Sequence, residues 1–133
     1  IAMDGWVKFS IMSKNDILEL EQLHESFGDD PETFVAVLEM FMQEVPMDYD
    51  DLVSKMGQED YYASGLLAHK VKSSYRMLGM EKETLLLQEI EDRAKRKEQM
   101  DEIPALFKQF QEDYPEGLQL IMRTIKHLKK KLK

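Results

Sequence analysis

The residues best suited to chemistry lie around one histidine, in the run Gly65-Leu66-Leu67-Ala68-His69-Lys70-Val71-Lys72-Ser73-Ser74-Tyr75-Arg76. A helix turns ~100° per residue. On that period Leu67, Val71, Ser74 and Leu78 form an inward stripe. His69, Lys72, Ser73 and Arg76 form a second stripe, offset by about 200° from the first residue of the inward one. The imidazole is therefore expected to project into solvent from mid-helix. Gly65, one turn before it, and Ser73, one turn after, are small and leave the ring clear. A glycine inside a helix costs about 1 kcal/mol against alanine, so Gly65 needs a reason: either room beside His69 or close packing of a neighbouring helix.

A neutral imidazole nitrogen is a nucleophile near neutral pH, since an unperturbed histidine titrates at about 6.5. Phosphoryl transfer to such a ring needs positioning and positive charge more than covalent machinery. Lys72, three residues on, is near enough to meet negative charge placed on the ring and to favour its neutral form. No phosphate-binding glycine loop and no metal cage accompanies His69, so ATP chemistry within this chain is not expected. On periodicity alone a plain surface histidine is the commoner outcome.

The elements that must position this helix are themselves helical. A first short helix is expected over 15–27, with Ser13 and Asp16 as a capping pair and Ile17, Leu20, Leu23 and Phe27 at helical spacing. A long second helix starts from Asp30 as N-cap with Pro31 in its first turn. It carries the stripe Phe34, Leu38, Phe41, Val45, Leu52 and Met56, with Tyr49 on the same side, bends at Pro46 and stops at Gly57. The third spans about 60–78 and ends at Gly79. A fourth spans 82–97, with Leu86 or Leu87, Ile90 and Ala94 inward. A fifth begins near Asp101 and carries Ile103, Leu106 or Phe107, Phe110, Tyr114, Leu118, Ile121, Ile125 and Leu128, with a bend at Pro115. Four long amphipathic helices with short joints predict an all-α, antiparallel up-down four-helix bundle, with the short helix capping one end. The ten methionines suit such a core as adaptable filler.

Composition bounds the rest. The chain has 133 residues, 43% hydrophobic and 33% charged, which fits one globular domain. The absence of cysteine removes disulfides, thiolate metal sites and cysteine nucleophiles, and suits a reducing cytoplasm. No apolar run reaches membrane-span length. The net charge is −8, and between Asp16 and Asp60 Lys55 is the only lysine or arginine, which argues against nucleic acid as a partner of this half. The lysines of 126–133 read as a solvated helix end. The chain opens on Ile1, so it reads as a fragment, a processed product or a chain carrying vector residues. Residues 1–12 are expected to be an extension and 13–133 the domain.

The stretch from Ala68 to Ser74, with Leu78 and Gly79, resembles the signature of histidine phosphotransfer (HPt) domains: His, any residue, an apolar residue, Lys, Gly, two small residues, then Gly ten after the His. Val71 holds the apolar position, Lys72 the lysine, Ser74 a small position and Gly79 the terminal glycine. Gly28-Asp29-Asp30-Pro31-Glu32 before the long helix, and Leu85-Leu86-Leu87-Gln88-Glu89-Ile90-Glu91 after the motif, match too. The likeness covers about 16–125. It implies a phosphorelay intermediate in which His69 accepts a phosphoryl group, at Nε2, from a receiver-domain aspartate and passes it to another receiver. Lys72 would assist electrostatically. Ser73 stands where the family has a glycine that makes room for the receiver, a departure expected to slow transfer or alter partner choice, as are the bulky Tyr75 and Arg76.

Tyr62 and Leu66, on the turns before His69, are expected to give the receiver an apolar docking patch with Gly65 and Arg76, or else to pack under the first helix. The implied partners are receiver domains of a hybrid histidine kinase and of a response regulator. The resemblance implies no cofactor in this chain, with magnesium on the partner receiver, no membrane insertion, and a cytoplasmic monomer that carries phosphate and is no autonomous kinase. Two other readings stay open: an adaptor of the same fold without phosphotransfer, and a metal- or haem-binding bundle using Glu21-x-x-His24. His24 is otherwise expected at the core edge and His127 in solvent.

Overall fold

The computed structural model describes residues 17–19 and 21–132, except for the side chains of Gln22, Leu23 and Ser26. Local signals set most helix boundaries. Asp30 caps the long helix α2 (Pro31–Gly57), its carboxylate accepting from the Glu32 N–H at 3.1 Å. Asp60 does the same for α3 (Tyr61–Met77), accepting from the Ala63 N–H at 3.1 Å. Gly79 follows α3 at φ 74°, a left-handed turn that glycine adopts without a Cβ penalty. The chain then enters α4 (Glu81–Arg96), turns through a 3₁₀ segment (Met100–Glu102) and closes with α5 (Ile103–Lys131). Both α2 and α5 run on through an internal proline, Pro46 and Pro115.

The short helix α1 covers only Glu21–Phe27, which corrects the expected start at 15. Residues 17–19 are not helical, because the Leu18 N–H donates to Thr124 Oγ1 at 2.9 Å instead of to its own helix. Leu18 is buried and Ile17 only half-buried. The Ser13–Asp16 cap and the 1–12 extension lie outside the described residues.

The long helices are antiparallel neighbours. His69 meets Glu91 and Lys72 meets Gln88, so α3 and α4 advance in opposite senses. Glu39 meets Lys129 and Tyr49 stacks on Tyr114, which does the same for α2 and α5. Together α2, α3, α4 and α5 form the four-helix bundle, and no strand occurs among the described residues. Leu38, Val45, Leu52, Val71, Leu87, Ile90, Ile103, Phe110 and Ile121 are fully enclosed between them. Each such side chain contributes roughly 1.5–3 kcal/mol by leaving water.

The inward face of α3 needs correcting. Ala68, Val71, Tyr75 and Leu78 are buried, whereas Leu67 and Ser74 are half-buried. Tyr75 cannot obstruct docking, because its ring lies edge-on between Phe41 and Phe110 at 5.0 and 5.6 Å. Burial pushes its hydroxyl far above the usual tyrosine range. Along α5, Gly117 and Thr124 are buried, while Tyr114, Leu118 and Ile125 are half-buried. The methionines fill the core only in part: Met42, Met56 and Met100 are half-buried and pack against it. Among the described ones Met80 is buried, whereas Met40, Met47 and Met122 are exposed. His127 is half-buried rather than solvated. No helix of the described residues is long and apolar enough to cross a membrane.

Candidate functional site

His69 sits at the middle of α3 with its side chain 61% exposed, so the outward projection is observed. The ring is nevertheless anchored. Its Nδ1 lies 2.8 Å from Glu91 Oε2, on the facing helix α4. Glu91 is itself mostly buried and uses its second oxygen, Oε1, to accept from the Lys72 ammonium at 2.6 Å. Lys72 donates also to Gln88 Oε1 at 2.7 Å, and the Gln88 amide donates to Asp92 at 2.8 Å, which fixes its orientation. The outcome is a continuous chain: His69, Glu91, Lys72, Gln88, Asp92.

Two opposing effects act on Glu91. Burial alone would raise its carboxyl, but hydrogen bonds from Lys72 and His69, with the attraction of their charge, outweigh it and hold the group below the usual glutamate range. Glu91 is thus ionised at neutral pH, and an ionised carboxylate only accepts. Nδ1 must therefore carry the proton of the neutral ring. Nε2 is left with its lone pair and has no partner among the described residues.

Lys72 is where the expected site needs correcting. The helical period puts it on the outward stripe, yet its side chain is only 6% exposed, and its charge is already met by Glu91 and Gln88. A lysine at the margin of a helix face can turn either way, and a buried carboxylate on the neighbouring helix decides the direction. Lys72 supports the carboxylate that holds the ring, and does not present a free cation beside it.

Gly65 resolves in favour of close packing. A Cβ there would stand 2.7 Å from Ala94 Cβ, closer than real Cβ atoms come. Neither carbon can rotate away, so α3 and α4 would have to part. Gly65→Ala should gain about 1 kcal/mol of helix propensity and lose about 1–3 kcal/mol to overpacking, for a net loss of stability in a thermal melt. The double substitution Gly65→Ala with Ala94→Gly should recover much of that loss. Equal stability of Gly65→Ala and the parent would contradict the packing seen here.

Beside the histidine is a cavity of about 340 Å³, with Gly65 and Ala94 in its wall next to Glu91, Tyr62, Leu66 and Lys95. Tyr62 and Leu66 are 68% and 59% exposed. They do not pack under α1, so the apolar patch anticipated beside His69 exists. Ser73 is exposed too, and its hydroxyl donates back to the His69 carbonyl at 3.2 Å, so it lies along the helix. Arg76 is exposed a turn further on. His24 faces Asp29 on the bundle's end and stacks edge-on against Phe34, far from a paired Glu-x-x-His arrangement. No group of three or more His, Asp or Glu side chains among the described residues could hold a metal ion.

Glu91 and Gln88 belong to the site although they lie outside the α3 motif. One signal was available: His69 and Glu91 each lie eleven residues from Met80, and in an antiparallel hairpin residues equidistant from the joint face each other.

On α3 an exposed imidazole is thus tethered by a carboxylate of the next helix, α4. The chain matches the family model of the Hpt domain over residues 36–124, which takes in all of α3 and α4. It belongs to the Hpt domain family, whose members carry out histidine phosphotransfer in phosphorelays and interact with receiver domains. Comparison with curated proteins and with solved structures gives no match.

Proposed function

We propose that His69 is the phosphoryl carrier of this chain: it takes the group from an aspartyl phosphate on one receiver domain and passes it to the aspartate of another. The observation that carries the reading is the tethered, outward imidazole, with Nδ1 held by Glu91 and Nε2 free. In the forward step the Nε2 lone pair attacks phosphorus, the Nε2–P bond forms, and the acyl P–O bond breaks with release of the receiver carboxylate. The ring keeps its Nδ1 proton and gains positive charge, which Glu91 meets at 2.8 Å. The reverse step regenerates the neutral ring. Such chemistry rests on positioning and electrostatics. No cofactor of this chain takes part, and the magnesium belongs to the receiver.

Docking uses the apolar surface of Tyr62 and Leu66, with Gly65 in the wall beside it. A receiver helix covers that patch and brings its aspartyl phosphate over His69. Ser73, folded along the helix, leaves room for the approach although it replaces the family's glycine, and Arg76 lies at the polar rim. The partners in this reading are receivers of a hybrid histidine kinase and a response regulator. The protein acts as a cytoplasmic monomer, a home that suits a cysteine-free chain.

The test is transfer of labelled phosphate from an aspartyl-phosphorylated receiver. The label should appear on this chain, be lost in acid, survive base, and move to a second receiver on addition. Absence of label from several receivers would leave the fold as a helical adaptor.

A further inference from the structure

The signature's lysine is spent. Lys72 is buried, with Glu91 and Gln88 on its ammonium, so it cannot turn outward to a phosphoryl group without breaking both contacts and stranding Glu91. An incoming phosphoryl group brings about two negative charges to the ring, and charge of that size calls for a cation with a free face. Among the nearby basic residues, Lys70 is paired with Asp48 at 3.1 Å. Arg76 lies seven residues from His69, about 10 Å along the helix axis, and does not line the cavity. Lys95 does. It lies one helical turn beyond Glu91 on the same face of α4, is exposed, has no ion pair or hydrogen bond among the described residues, and borders the cavity that His69 shares.

Accepting His69 as the phosphoryl acceptor, we propose that Lys95 is the catalytic cation of the site: its ammonium contacts the phosphoryl oxygens at His69, the part Lys72 would otherwise have. The division of labour is physical. Lys72 keeps Glu91 ionised and in place, Glu91 keeps the proton on Nδ1, and Lys95 neutralises the charge that arrives on Nε2. Its exposed position lets it do this without a desolvation cost in the resting state, and the docked receiver then excludes water and strengthens the contact.

Loading from phosphoramidate, a small N–P phosphoryl donor, tests this without any receiver. The full chain is compared with Lys95→Gln, Lys95→Arg and His69→Gln, following the phosphohistidine signal by ³¹P NMR. Lys95→Gln should load about tenfold more slowly, Lys95→Arg should return to within about twofold, and the melting temperature of both should match the parent. The pH at which the bound phosphoryl group loses its last proton should rise by roughly 0.5 units in Lys95→Gln, because a neighbouring cation favours the more charged form. Lys95→Gln loading at the parental rate with an unmoved titration would overturn the proposal and leave His69 as acceptor. A parent chain that does not load, or a His69→Gln chain that loads equally, would overturn the reading beneath it.

Discussion

Replacing His69 by Gln should abolish acid-labile phosphate on the chain while leaving the bundle intact. The functional loss is expected to be complete within detection, at least about a hundredfold, because no group nearby can stand in. An amide nitrogen is not nucleophilic, Ser73 directs its hydroxyl to a backbone carbonyl, and Tyr75 is enclosed in the core. His24 lies at the end of the bundle against Asp29 and Phe34, and His127 is on α5. The structural cost should stay under about 1 kcal/mol, since the ring is exposed and gives up one hydrogen bond at the surface. A thermal melt paired with the label measurement separates the two effects. Label retained in the His69→Gln chain would move the acceptor elsewhere, and lost label together with a lowered melting temperature would make the variant uninformative about chemistry.

Much of this arrangement is legible in the sequence, for identifiable reasons. Caps are local: Asp30 with Pro31, Asp60, and Gly79 mark helix ends through contacts within a few residues, so no tertiary knowledge is needed to place them. The outward direction of His69 also follows from period alone, because it lies on the far side of α3 from Val71. Residues at the margin of a helix face are another matter. Lys72 sits about 100° from Val71, where the 3.6 period gives no decision, whereas Tyr75, about 40° from Val71, lies on the inward side by period and is masked only by its polar hydroxyl; a bundle helix packed between two neighbours also buries a wider arc than a two-layer stripe suggests. The burial of Tyr75 depends on Phe41 and Phe110, and that of Lys72 on Glu91. The unwound stretch before α1 fails for a similar reason, since the partner of the Leu18 N–H, Thr124, is 106 residues away. The His69–Glu91 contact, the centre of the site, is likewise a relation between helices and not a motif within one.

That contact makes Glu91 the position where fold and chemistry are most tightly joined, and its two substitutions should separate them. Glu91→Ala leaves the Lys72 ammonium buried with only Gln88 as acceptor. Removing one partner of a buried ion pair costs about 3–5 kcal/mol, and the surviving bond places this case near the lower end. At roughly 3 kcal/mol the melting temperature of a domain this size falls by roughly 10 °C. Stability should also change its response to acid. The Glu91 carboxyl lies below its ordinary value in the folded chain, so its contribution is complete above the ordinary glutamate range and is lost as the pH falls through the lowered value. That part of the acid limb should be missing from both variants. Glu91→Gln keeps an oxygen for Lys72 and should retain more stability than Glu91→Ala. It turns an amide N–H toward Nδ1, however, and an amide donor requires Nδ1 to accept. The neutral ring's proton then resides on Nε2, the nitrogen that must attack, and loading should fall about tenfold even in a well-folded protein, one hydrogen bond of about 1 kcal/mol or somewhat more setting the tautomer. Parental loading by Glu91→Gln would mean that the carboxylate is a structural counter-ion alone, whereas slow loading with a modest drop in melting temperature would show that the same group that neutralises Lys72 in the interior also fixes which face of the imidazole is reactive at the surface.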